Sequence, residues 1–112
     1  MPASHFLANK LLEHQLGKTS YTMPTVYVGL SSTTPALGGT NVTEPSGGSY
    51  ARVATSGATW GTAASSSITN AAAITFTQAS ADWLTGSNLT YGVLYDAPSG
   101  GNLLAYGVLS VV

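Results

Sequence analysis

The stretch LTYGVLYDAPSGGNLLAYGVLS, from Leu89 to Ser110, constrains this chain more than any other. Leu89, Tyr91, Val93 and Tyr95 alternate with Thr90, Gly92, Leu94 and Asp96, and after the turn Leu104, Tyr106 and Val108 alternate with Leu103, Ala105, Gly107 and Leu109. Alternation with period two is the mark of a strand. Between the two runs, DAPSGGN (Asp96 to Asn102) is made of residues that bend a chain, so the runs are expected to pair as an antiparallel hairpin. Apolar residues fall on both faces, which predicts cover on both sides. Gly92 and Gly107 weaken a strand unless something packs closely over them, and a Tyr or Trp ring is the expected partner.

Other runs fill out a β domain. Thr25 to Ser31 (TVYVGLS) places Val26, Val28 and Leu30 on one face and Thr25, Tyr27 and Gly29 on the other. Tyr50 to Thr55 reads as a short strand, and Ala71 to Ala79 as another, with Ile74 and Phe76 on one face. Asp82 and Trp83 open a turn toward Gly86. Ser32 to Ser49 is a long Gly/Pro/Ser/Thr-rich loop, expected to be exposed or held by a neighbour. Residues 1–17 differ: Ser4 is a candidate N-cap, Phe6, Leu7, Leu11, Leu12 and Leu16 recur at helical spacing, and Gly17 follows as a stop. Such a helix rests on its own sheet or docks onto another subunit. The expectation is a single domain over residues 1–112, mainly β: a small antiparallel β-sandwich or barrel with one N-terminal α-helix.

Charge narrows the function. Lys10, Lys18, Arg52, Glu13, Glu44, Asp82 and Asp96 make up 6% of the 112 residues, against about a quarter in an average domain. Three basic residues cannot supply the phosphate contacts of a nucleic-acid binder or a basic membrane patch, and no apolar run approaches a membrane span. Lys10, Glu13 and His14 interrupt the apolar residues of the N-terminal stretch, so no signal-peptide core is expected. A polar but uncharged surface can be pressed against a neighbour at little desolvation cost, as the structural proteins of large assemblies require. A charge-poor secreted β domain is the competing reading.

Catalytic constellations are missing. His5 and His14 lie nine residues apart, on opposite sides of one helix, so they cannot converge on a metal. Serines abound without a GxSxG elbow or a histidine outside the first 14 residues. Glu44, Asp82 and Asp96 read as loop or turn residues rather than a glycosidase pair. The Gly pairs of PSGGS (Pro45 to Ser49) and PSGGN (Pro98 to Asn102) lack the lysine and helix of a phosphate loop. There is no cysteine, and the patterns at Asn41 and Asn88 that match N-glycosylation are read as chance. No enzyme activity, metal or cofactor is expected.

Four stretches carry a family resemblance: LLEHQLGKTSYTMPTVYVGLSSTTP (Leu11 to Pro35), GGSYARVA (Gly47 to Ala54), ADW (Ala81 to Trp83) and YDAPSGGNLLAYG (Tyr95 to Gly107). In this order they resemble a family of small tailed-bacteriophage virion proteins, often labelled tail fibre proteins, some similar to head decoration or cement proteins. The resemblance implies a virion component without an active site. The compact size favours a cement protein on the capsid surface, with the major capsid protein and further copies of itself as partners, a trimer being the expected symmetry. A tail or tail-fibre component is the alternative, and a secreted carbohydrate-binding module using Trp60 and Trp83 is a third. Phe6, Leu7, Leu11, Leu12 and Leu16 in the helix, with Pro35, Leu37 and Val42 in the loop, are the candidate interface residues.

Overall fold

The computed structural model of the chain describes residues 3–65, 68–81, 83 and 88–109. The first element, α1 (His5–Gln15), begins as its sequence signals ask. The Ser4 side chain accepts a hydrogen bond from Leu7 N at 3.2 Å. Gly17, with φ +76°, receives the chain as it leaves the helix, and its N–H donates to His14 O at 3.2 Å. No described helix is long and apolar enough to cross a membrane.

Among the described residues four strands follow: β1 (Tyr27–Ser31), β2 (Val53–Ala54), β3 (Tyr91–Tyr95) and β4 (Leu103–Val108). They form one antiparallel sheet in the order β2-β1-β3-β4. The hairpin read from the C-terminal alternation is β3 and β4, with Gly92 opposite Gly107 and Val93 opposite Tyr106. A bulge between Leu94 and Tyr95 brings Leu103 opposite Tyr95. The Asp96 carboxylate closes the turn by accepting from Asn102 N at 2.7 Å and from its side-chain amide at 3.1 Å. Among the described residues the fold is mainly β with a single α-helix, near the N-terminus, as expected, and all four strands belong to one sheet.

Opposed residues share a face, so one face carries Tyr27, Gly29, Ser31, Val93, Tyr95, Leu103 and Tyr106. This face holds the core: Val93, Tyr95 and Leu103 are buried, with Val42 and Tyr106 packed against them. The layer above it is irregular chain. Ser32 to Ser49 is mostly exposed, as expected, and is tied down by its own polar groups. Ser32 N donates to Thr43 O at 3.0 Å, Thr33 Oγ1 to Asn41 O at 2.7 Å, and Thr43 N to the buried Ser31 Oγ at 3.1 Å. A loop so closed satisfies its backbone internally and can lie on the sheet.

Three further expectations are corrected. The strand predicted over Tyr50 to Thr55 shortens to β2, because Tyr50 and Arg52 are used by side-chain contacts over the sheet. Ala71 to Ala79 forms no strand; Phe76 instead stacks on Tyr50 at 6.3 Å, and that side-chain anchor replaces a ladder. Over Gly92 lies Leu109 rather than an aromatic ring: a Cβ at Gly92 would meet Leu109 Cδ2 at 3.3 Å. The predicted turn at Asp82 and Gly86 lies outside the described residues.

Candidate interaction surface

The start of α1 is fixed to β4. Ser4 is buried, its N–H donates to Leu104 O at 2.7 Å and its hydroxyl to Leu103 O, while His5 N donates to Leu37 O at 2.9 Å. This clamp sets which way the helix faces. Phe6, Lys10 and Glu13, which fall within about 60° of arc, are half-buried, and Lys10 Nζ sits 5.7 Å from the Phe6 ring centre. On the other side, Leu11, Leu12, Gln15 and Leu16 fall within about 140° of arc. Leu11 is 48%, Leu12 60% and Leu16 81% exposed. The five apolar residues predicted as one stripe are therefore divided. Phe6 faces the body of the protein and Leu7 is half-buried, whereas Leu11, Leu12 and Leu16 point to solvent.

Two charged groups of the β domain, Arg52 and Glu44, are spent on each other. Arg52 donates from Nε and Nη2 to the two Glu44 carboxylate oxygens at 3.0 and 2.6 Å. Its Nη1 reaches Ala97 O at 2.8 Å and Gly100 O at 2.9 Å, tying loop to hairpin turn. The guanidinium also lies 3.7 Å from the centre of the Tyr95 ring. Tyr50 completes the network, donating from its hydroxyl to Glu44 Oε2 at 2.6 Å and accepting from Leu30 N at 3.0 Å. Burial pushes the Glu44 carboxyl up, but the hydrogen bonds from Arg52 and Tyr50 and the Arg52 charge outweigh it and hold the group below its ordinary value. Burial, then the Glu44 carboxylate, pushes the Tyr50 phenol far above its ordinary value.

Both tryptophans also serve the interior. The Trp83 indole N–H donates to Gly48 O at 2.6 Å, and its ring meets Tyr50 edge-on at 5.1 Å. Trp60 donates to Thr55 Oγ1 at 3.2 Å and walls an open groove of about 490 Å³ with Met23, Pro24 and Val26. Met23 is 89% exposed beside this groove, so part of the described surface here is apolar.

The family model for the podophage GP4 fiber I protein gp80 matches residues 2–112. The chain belongs to this family. It is accordingly a structural protein of a tailed-phage virion. A search of curated proteins found no match.

Within this fiber I family member, the predicted interface residues do not form one patch. Pro35 is buried within the loop, Val42 packs on the core, and Leu37 lies at the lip of a cleft beside Ser4 and Phe6. Leu11, Leu12 and Leu16 are the members that remain outward-facing and adjacent. Among the described residues there is no group of three metal-ligating side chains. His14 is exposed, and its Nδ1 accepts from Tyr21 N at 3.0 Å, a local link that sequence spacing alone did not suggest. The Glu44–Arg52 pair was equally hidden, since the partners lie eight positions apart and meet only when the loop folds back.

Proposed function

We propose that the protein is a structural subunit of the phage's fibre apparatus, joined to further copies of itself and to neighbouring virion proteins through apolar contacts, without catalysis or a cofactor. The outward leucine stripe of α1 is the observation that carries this reading. A diffusing protein gains nothing from three adjacent exposed leucines on a clamped helix, whereas an assembly subunit buries them. Placement in the fibre follows the name of the family. A cement role on the capsid surface is the second reading, favoured by the small domain with one projecting apolar helix.

Gold-labelled antibodies against the purified protein, applied to intact virions in the electron microscope, test the placement. Label along the fibres is the expected result. Label confined to the head shell, together with co-sedimentation on undecorated capsids, would replace the fibre reading with the cement reading. Hydrolysis of host polysaccharide by the purified chain would overturn the non-catalytic part.

A further inference from the structure

Residues 73–79 (AITFTQA) run without a bend, and none of them has a positive φ. Burial alternates along the run: Ala73, Thr75 and Thr77 are exposed, whereas Ile74 and Phe76 are half-buried. That is how a strand lies on a surface. Both ends are tied down. Ala71 N and Ala72 N donate to Thr59 O at 2.8 and 3.2 Å, and Ser80 N donates to Gly48 O at 2.9 Å. In the middle, the Phe76 ring centre lies 6.3 Å from that of Tyr50 and 6.5 Å from that of Trp83. Between these anchors, among the described residues, no backbone hydrogen bond reaches residues 73–79. The run has the composition, the burial pattern and the anchoring of a strand, and lacks only the ladder.

We propose that residues 73–79 pair with the same residues of a second copy of the chain, antiparallel about a twofold axis at Thr75. An exposed extended edge invites pairing, and β proteins that leave one free guard it with Lys, Pro or a bulge. From Ile68 to Ala81 the sequence holds no charged residue, no proline and no glycine. The edge is unguarded. Any extended peptide could supply backbone bonds, but the side chains single out the run itself. In the twofold register Thr75 stands opposite Thr75, Ala73 opposite Thr77, and Ile74 opposite Phe76. Thr–Thr and β-branched–aromatic pairs are among those that stabilise a sheet, and here no like charges meet across the axis. Because the ladder uses backbone groups, Phe76 keeps its place against Tyr50 and Trp83.

A twofold contact uses the same patch on both copies and closes on itself, so the pairing covers the edge and stops at two chains. It deepens the self-association proposed above and rests on it. The contact is the same in a fibre or on a shell, so its test is independent of virion position.

The chain has no cysteine, so single introduced thiols report the register. In this pairing the two copies of position 75 face each other, whereas those of position 77 stand about 14 Å apart along the strands, beyond disulfide reach. Oxidised with diamide, purified Thr75→Cys should give about tenfold or more covalent dimer than Thr77→Cys, since the contact raises the local thiol concentration. Thr77→Cys mixed with Ala73→Cys should link as Thr75→Cys does. Thr75→Lys sets like charges opposite each other at an exposed position. It should sediment at a smaller mass than the unsubstituted protein, with its near-ultraviolet circular dichroism unchanged. A monomeric unsubstituted chain, or equal dimer yields from Thr75→Cys and Thr77→Cys, would overturn the pairing. An oligomer that persists unchanged in Thr75→Lys would overturn it too, while leaving the fibre reading standing.

Discussion

Replacing Arg52 with methionine keeps an unbranched apolar stem and removes all of the polar contacts of the side chain. The loss comprises two hydrogen bonds to Glu44, two to the carbonyls of Ala97 and Gly100, and the contact with the Tyr95 ring. Arg52 is 6% and Glu44 21% exposed at the side chain, so the carboxylate left behind is only partly able to recover water. Breaking a buried pair from one side costs about 3–5 kcal/mol, and the residual access of Glu44 puts this case near 3 kcal/mol. Unfolding entropy near the midpoint is about 2.1 cal/mol/K per residue, or about 0.24 kcal/mol/K for 112 residues. The expected fall in melting temperature is therefore about 13 °C, read by calorimetry or circular dichroism. The double substitution Glu44→Met, Arg52→Met should recover much of that fall, because the stranded carboxylate is gone. A single substitution that costs less than about 1 kcal/mol, or a double no more stable than the single, would refute the reasoning.

Gly29 has Glu44 Oε2 at 2.8 Å, Tyr50 OH at 2.9 Å and Val93 Cγ2 at 3.1 Å from where a Cβ would stand. Gly29→Ala should therefore displace the network and cost about 2–3 kcal/mol by chemical denaturation. At the hairpin turn, Gly100 and Gly101 both have positive φ, but only at Gly101 would a Cβ meet Asp96 Oδ1 at 2.6 Å and Ala97 Cβ at 2.7 Å. Gly100→Ala should cost about 1 kcal/mol and Gly101→Ala clearly more in the same assay; equal costs would contradict the turn geometry. Because the folded pKa of Glu44 is depressed, its contribution is complete above the ordinary value of 4.5 and is lost as the pH falls through the folded value. Stability should drop below about pH 4.5, and Glu44→Gln, already weaker at neutral pH, should show a shallower drop across the same range.

Features that depend on neighbours in sequence were legible without the structure. The β3–β4 hairpin follows from period-two alternation around DAPSGGN, and the start and end of α1 follow from Ser4 and Gly17, because strand pleat, turn and cap are set by residues a few positions apart. The low charge limited the classes of partner for the same reason: it requires no knowledge of where the residues lie. Tertiary structure decided the rest. Which side of α1 faces outward depends on Ser4 bonding to Leu103, 99 residues away, and helical periodicity defines an apolar arc without saying where the rest of the molecule lies. The fate of Glu44 and Arg52 depends on the loop folding back over the sheet, and no local pattern encodes that closure. Ala71 to Ala79 had the composition of a strand but not a ladder to join, since a strand exists only when another backbone supplies its hydrogen bonds.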